Sequence, residues 1–360
     1  MLMSRRHAMA ALGSTMLMPI VAGAAFGAAQ SAADKAFAKL AAKWLDQSMK
    51  FSPVSATQIG DHRFDAMLDD VSAGGRNAGL AFNKQTLAAL EAIDAKRLSR
   101  ANQVDAALLA NELKSQIWQT ESVQGWAWNP LGYQGVAGGA VYGLMAREFA
   151  PIEKRLVAAT ARMELIPAFL KQARGELLPA RVPVPHAATY SAQHKGLKSI
   201  IGEMIDPHKE KLSGAARVRL DAAIAAYNAA CDEHQAWIDG TLVPAAKADF
   251  RAGAERFDKQ LSFTLQSTLT RAEIRSRAES AITKTRAEMY EVARQALKGR
   301  ADAPEMPDAP SPEQQQKAIK AALELSASER PPRDKLVEVA TEAVERARTF
   351  VRDRDLITLP

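Results

Sequence analysis

Apolar residues return at every third or fourth position along almost the whole of this chain. No segment before Asp355 sustains the every-second-residue alternation of a half-buried strand. That periodicity restricts the fold to helix packed on helix. Composition agrees. Hydrophobic residues make up 47% of the chain but aromatic ones only 6%, which leaves Ala, Leu, Val and Ile to build the core. Ala and the straight-chain residues lose least on entering a helix. The chain is therefore expected to be all-α, a multi-helix array with long irregular loops.

Phe37, Leu40, Trp44, Leu45 and Met49 mark a helix over residues 34–50, and Ser52-Pro53 caps a short one ending at Gly60. A loop is expected over 61–79, then helices over 80–98 and 102–120. Residues 123–149 hold Trp126, Trp128, Tyr133, Tyr142 and many glycines, the composition of a long structured loop. Pro151 restarts the helical pattern, with a kink expected at Pro167. Leu220, Ile224, Tyr227, Cys231, His234 and Ile238 form one stripe. Thr270 and Glu273 make a capping box ahead of a second stripe containing Ile274, Ile282, Met289 and Val292. Three prolines over 301–311 read as a linker, Ser311 caps the next helix, and Leu336 to Val351 define the last. Leu356-Ile357-Thr358-Leu359 looks like a β-like element beginning at about Asp355. An unpartnered apolar strand is a poor way to end a domain, so the chain is expected to be incomplete at its C-terminus. The expected organisation is a helical N-terminal domain over 34–300, the linker, and the start of a truncated helical region over 312–360.

The first 33 residues read as a signal peptide. Arg5-Arg6 precedes an uncharged run with a short apolar middle and a small-residue tail, Gly27 to Ala33. The arginine pair is twin-arginine-like, and both that route and Sec remain open. The small-residue tail favours removal over a retained membrane anchor, so no stable membrane span is expected, and the protein is expected to be periplasmic or secreted. No cysteine follows the apolar run to carry a lipid.

The net charge is +6, and loss of Arg5 and Arg6 with the leader would leave +4. Lys and Arg alternate with Asp and Glu along the helices, which describes solvated faces rather than a nucleic-acid-binding stripe. The single cysteine, Cys231, can make no intramolecular disulfide, and its place on an apolar stripe predicts an inert buried thiol.

Chemistry-bearing motifs are scarce. The histidines at 7, 62, 186, 194, 208 and 234 include no H-E-x-x-H helix. His234 reads as a core histidine, and there is neither a G-x-S-x-G elbow nor a phosphate-binding loop. Asp61-His62-Arg63-Phe64-Asp65 is the densest polar cluster. An Asp beside a His can serve acid–base chemistry, but a loop pinned by ion pairs is the favoured reading.

Ser52-Pro53-Val54-Ser55-Ala56-Thr57-Gln58-Ile59-Gly60-Asp61-His62-Arg63-Phe64-Asp65 resembles the opening signature of the bacterial family called domain of unknown function 885. Collinear matches follow at Asn129 to Tyr133, Arg162 to Pro167, Leu269 to Ile274 and Asp355 to Pro360. The resemblance implies an exported, largely helical protein similar to zinc metallopeptidases, with a cleft between two helical halves that takes a peptide-like substrate. It also implies that the H-E-x-x-H helix lies downstream of the Leu-Pro element at which this sequence ends. No catalytic or metal-binding residue can therefore be assigned here, no cofactor is expected in this chain, and zinc is expected only in a full-length parent. The expected role is one wall of the cleft, inactive alone, with Asp61, His62, Arg63, Tyr133 and Tyr142 as candidate cleft residues. The alternative is a non-enzymatic periplasmic helical binding or scaffold protein, or a degenerate fragment.

Overall fold

The computed structural model describes residues 31–359, and every regular element among them is helical. The expected leader lies outside the described residues except for its last three. Ser31 caps the first helix, α1 (Ala32–Ser48), by accepting the Asp34 N–H. Asp34 in turn accepts from the Ser99 N–H at 2.9 Å and the Asn102 side chain at 2.7 Å. Those donors hold its carboxyl down at about 2 and pin α1 to the start of the helix that begins at Arg100.

The described residues divide into two compact units at Ser267/Thr268. In the first, α2 (Pro53–Ile59) precedes a 3-10 turn at His62–Phe64. The following helix α3 (Ala73–Glu91) starts earlier than its apolar pattern suggests, because Ser72 caps it through the Gly75 N–H. Helix α4 (Arg100–Trp118) widens into a π-turn at Gln119–Val123.

The long loop expected over 123–149 is instead mostly helix: one turn at Gly125–Trp128, then α5 (Pro130–Met145). Asn129 caps α5 by accepting the Leu131 N–H, and Pro130 supplies a preset first position. The glycines serve packing. A Cβ on Gly139 would lie 2.9 Å from Val54 Cγ1, so only a bare backbone lets α2 come this close. Helix α6 (Ile152–Glu176) runs on through Pro167. With α7 (Val184–His194) and α8 (Gly214–Trp237) it forms the main core with α5, around Leu156, Met163, Ile166, Leu170, Tyr190 and Leu220. The predicted α8 stripe is buried throughout. A smaller core of Phe37, Leu90, Leu98, Leu109 and Leu113 joins α1, α3 and α4. Helix α9 (Ala254–Leu265) completes the unit and buries none of its residues.

The second unit holds α10 (Arg271–Ala296), α11 (Pro312–Ser328) and α12 (Leu336–Asp353). Both predicted capping boxes are present, Thr270 with Glu273 and Ser311 with Gln314. Its core is small: Tyr290, Ala293 and Ala318, with Met306 and Ala322 against them. The proline-rich connection is tied down, since the Tyr290 hydroxyl donates to the Pro307 carbonyl at 2.7 Å. Of the apolar stripe expected to bury α10, which also took in Ala278, Thr285 and Leu297, only Leu297 at the C-cap is buried. Ile282, Met289 and Val292 are exposed, and the face one residue round, Tyr290 and Ala293, packs instead. The β-like element expected from Asp355 is absent. The chain leaves α12 through a turn at Asp355 (φ +48°) in which the Leu356 N–H reaches the Val351 carbonyl, and no strand among the described residues lies alongside to extend it.

Candidate functional site

The polar cluster of the signature segment is a brace. Asp61 caps the 3-10 turn through the Arg63 N–H, and Arg63 pairs with both Asp61 (2.7 Å) and Asp46. That guanidinium holds the Asp61 carboxyl below its ordinary range. His62 Nδ1 lies 3.0 Å from Asp65 Oδ2, and its ring stacks on Phe149 with centroids 3.6 Å apart. The other Asp65 oxygen accepts the Thr57 hydroxyl at 2.6 Å. Beneath sits Arg162, wholly buried, which donates to the carbonyls of Pro53, Met67 and Ala140 and to Thr57 Oγ1 at 2.7–3.0 Å. A single guanidinium thus gathers the backbone of the signature segment, which accounts for that segment as structure.

Tyr133 and Tyr142 do not converge. Nine residues of helix separate them, about two and a half turns, so they project from opposite sides. Tyr142 is exposed, while Tyr133 is buried against Phe169 and donates to the Trp126 carbonyl at 2.7 Å. Burial, and then the Glu176 charge, push the Tyr133 phenol up. Of the five candidate residues, Tyr133 alone borders one of the concavities described next, a hollow of about 380 Å³. There Arg76 pairs with Glu176 at 2.8 Å and lies 3.8 Å above the Trp126 ring.

Two further cavities adjoin that hollow. A cavity of about 590 Å³ shares Gln119, Gly125 and Asn129 with it and is walled by Trp118, Trp128, Phe250 and Phe257. Another of about 620 Å³ meets the second at Gln260 and is walled by Trp44, Phe51, Phe82 and Phe263. Together they make an aromatic furrow around the π-turn and along α9. The π-turn positions it. A wide turn leaves carbonyls without helical partners, and two indoles take them up: Trp126 Nε1–H donates to Thr120 at 3.3 Å and Trp128 Nε1–H to Val123 at 2.9 Å. Gln119 reaches across to Gln260 at 2.5 Å, and the Asn111 amide donates to the Phe263 carbonyl at 3.0 Å. These polar ties hold α9 where apolar burial does not. The sequence reading missed Trp118, Phe250, Phe257 and Phe263; the Phe250-Arg251 and Arg256-Phe257 pairs flanking Gly253 were its available signal.

Zinc does not fit the described residues. No group of three His, Cys, Asp or Glu among them converges on a point. The nearest approach is His194 and His234, with ring centroids 4.9 Å apart. His234 Nε2 is engaged with the Tyr190 hydroxyl at 2.7 Å, and His194 Nε2–H donates to the Cys231 carbonyl at 3.2 Å. Both rings are buried, and burial pushes the neighbouring Cys231 thiol up to about 12, an inert thiol as expected. Among the described residues no helix is long and apolar enough to cross a membrane.

An all-α protein with an aromatic furrow and a buried arginine under its opening motif matches a known family. The chain belongs to the family described as bacterial protein of unknown function, DUF885, whose model matches residues 53–360. Its fold is similar to that of a Shewanella oneidensis protein described as "a putative lipoprotein of unknown function" (TM-score 0.70, 25% identity). The likeness covers 90% of this chain and 58% of that one, so the chain spans little over half the length of its structural neighbour. No curated protein matches.

Proposed function

We propose that this chain is the peptide-binding part of an exported hydrolase of the metallopeptidase type, its aromatic furrow forming one wall of the substrate cleft. The observation that carries the reading is the furrow: open, several side chains long, and walled by aromatic rings with amide groups between them. Those are the contacts that hold an extended peptide, rings for side chains and amides for backbone. The family resemblance supports the reaction class, and the description of the Shewanella protein as a lipoprotein supports an envelope location. In this reading a catalytic zinc would be held by residues other than those described, and the chain alone binds peptide without cleaving it.

The test is a titration of the purified chain with acetylated peptides of four to six residues, followed by tryptophan fluorescence and by chromatography of the peptide. Saturable quenching with intact peptide is expected, and Trp128→Ala should weaken it about tenfold, as for loss of one central aromatic anchor. Chelator-sensitive cleavage by this chain would overturn the reading. So would absence of any peptide binding, which would favour a scaffold protein.

A further inference from the structure

The furrow is not electrically balanced. Elsewhere in the first unit, Arg63, Arg76, Arg174, Arg217 and Arg219 form ion pairs, and Arg147, Arg155 and Arg162 spend their donors on backbone carbonyls. The cavity beside Trp128 carries Arg181, Arg251 and Arg256 against one carboxylate, Asp249. Asp249 is already paired with Arg251 at 3.3 Å. Arg181 gives one N–H to the neutral Gln124 amide oxygen at 3.0 Å and keeps the rest of its donor fork. Arg256, in the first turn of α9, makes neither a hydrogen bond nor an ion pair among the described residues. Two guanidinium groups in one concave site thus lack an anion, and the planar fork of arginine matches a carboxylate in particular. Around them Phe250 and Phe257 are more than half exposed, so two large rings and two guanidinium groups meet at one concave site.

We infer that this cavity recognises a carboxylate attached to an apolar body, the acidic portion of a peptide, through Arg181 and Arg256, with the adjoining side chain against Phe257 and Trp128. The inference rests on the peptide-binding reading above and gives it a substrate class. The setting of α9 suits the role. It is flanked by Gly253 (φ +79°) and Gln266 (φ +46°) and buries none of its own residues, so the segment carrying Arg256 and Phe257 can adjust to a ligand without disturbing the core.

The experiment uses the full chain and three probes read by calorimetry: N-acetyl-Phe-Ala-Ala as the free acid, the same peptide as its amide, and N-acetyl-Glu-Phe-Ala amide. At least one carboxylate-bearing peptide should bind about tenfold or more tighter than the neutral amide, the scale of a charge-assisted pair. Preference for the free acid alone assigns the peptide C-terminus. An equal gain with the glutamyl peptide assigns any suitably placed carboxylate. The double variant R181Q/R256Q, whose positions lie outside the core, should fold normally by circular dichroism and lose the preference while still binding the amide. Equal binding of all three peptides, or an undiminished preference in the double variant, would overturn the carboxylate site and leave the peptide reading standing. Benzoate bound in an Arg256-dependent way without any peptide binding would do the reverse.

Discussion

Arg162 shows how a single residue can explain a whole motif. Its guanidinium spans carbonyls from three parts of the chain and lies close to Asp65 and Asp69, where burial is the main cause of the raised Asp69 carboxyl. Truncating it strands those acceptors in the core, so Arg162→Leu should cost about 3 kcal/mol or more in urea unfolding. A loss below about 1 kcal/mol would mean the segment 53–67 holds itself together. The buried histidines give a second prediction. Burial, then the charges of His194 and Arg174, push His234 down to about 3, and burial lowers His194. His234 stays neutral in the fold to far lower pH than in the unfolded chain, whose histidines take up protons below about pH 6.5, and His194 shifts in the same direction. The unfolded state therefore binds more protons, and stability complete above that pH is lost as pH falls from 6.5 towards 3. Thermal midpoints measured between pH 7 and 4 should fall, less steeply in His234→Gln; a flat wild-type profile would refute this. The burial of His234 and Cys231 was legible in advance, since a histidine and a cysteine on one apolar stripe are core residues, whereas that of His194 was not. Arg162 was not, because nothing local distinguishes a buried arginine from a surface one on a helix.

Among the elements, α5 separates what sequence shows from what it hides. Its start was written in Asn129-Pro130, a cap followed by a preset first residue, yet five glycines between 132 and 143 argue locally for a loop. Tertiary contact reverses that argument, because α2 needs the space at Gly139. Two substitutions in this one helix should therefore have opposite signs. Gly135 faces open space, and Gly135→Ala should stabilise by about 0.5–1 kcal/mol through helix propensity. Gly139→Ala gains the same propensity but drives a methyl into the stiff Val54 side chain, and should destabilise by about 1 kcal/mol net. Equal effects in denaturant unfolding would show that α2 and α5 are not in close contact. The caps at Ser72, Thr270 and Ser311 lie where local chemistry puts them, as N-caps are set by neighbours three residues away. The α10 stripe failed for a related reason: a periodic pattern shows that a helix has an apolar face without showing that the face is covered.

At the scale of the molecule, the all-α class follows from periodicity alone, and so do α6 and the buried stripe of α8, whereas α5 and the proline-flanked α7 do not. The furrow does not. Its walls come from residues between Trp44 and Gln266, drawn together by a π-turn that has no sequence signature and by a helix tied down through amides. The second unit leaves Leu336, Val337, Val344 and Phe350 of α12 exposed around a core of a few residues, so the first unit carries most of the apolar burial.

Hydrogen–deuterium exchange of the intact chain, with and without a saturating acetylated peptide, tests peptide binding in the furrow most directly. Slowed exchange confined to residues 118–128 and 248–266 is predicted, because a ligand in the furrow must quiet the π-turn and the loosely held α9. Unchanged exchange there under saturation, or protection only at 61–65 or in the second unit, would contradict the furrow as the binding site.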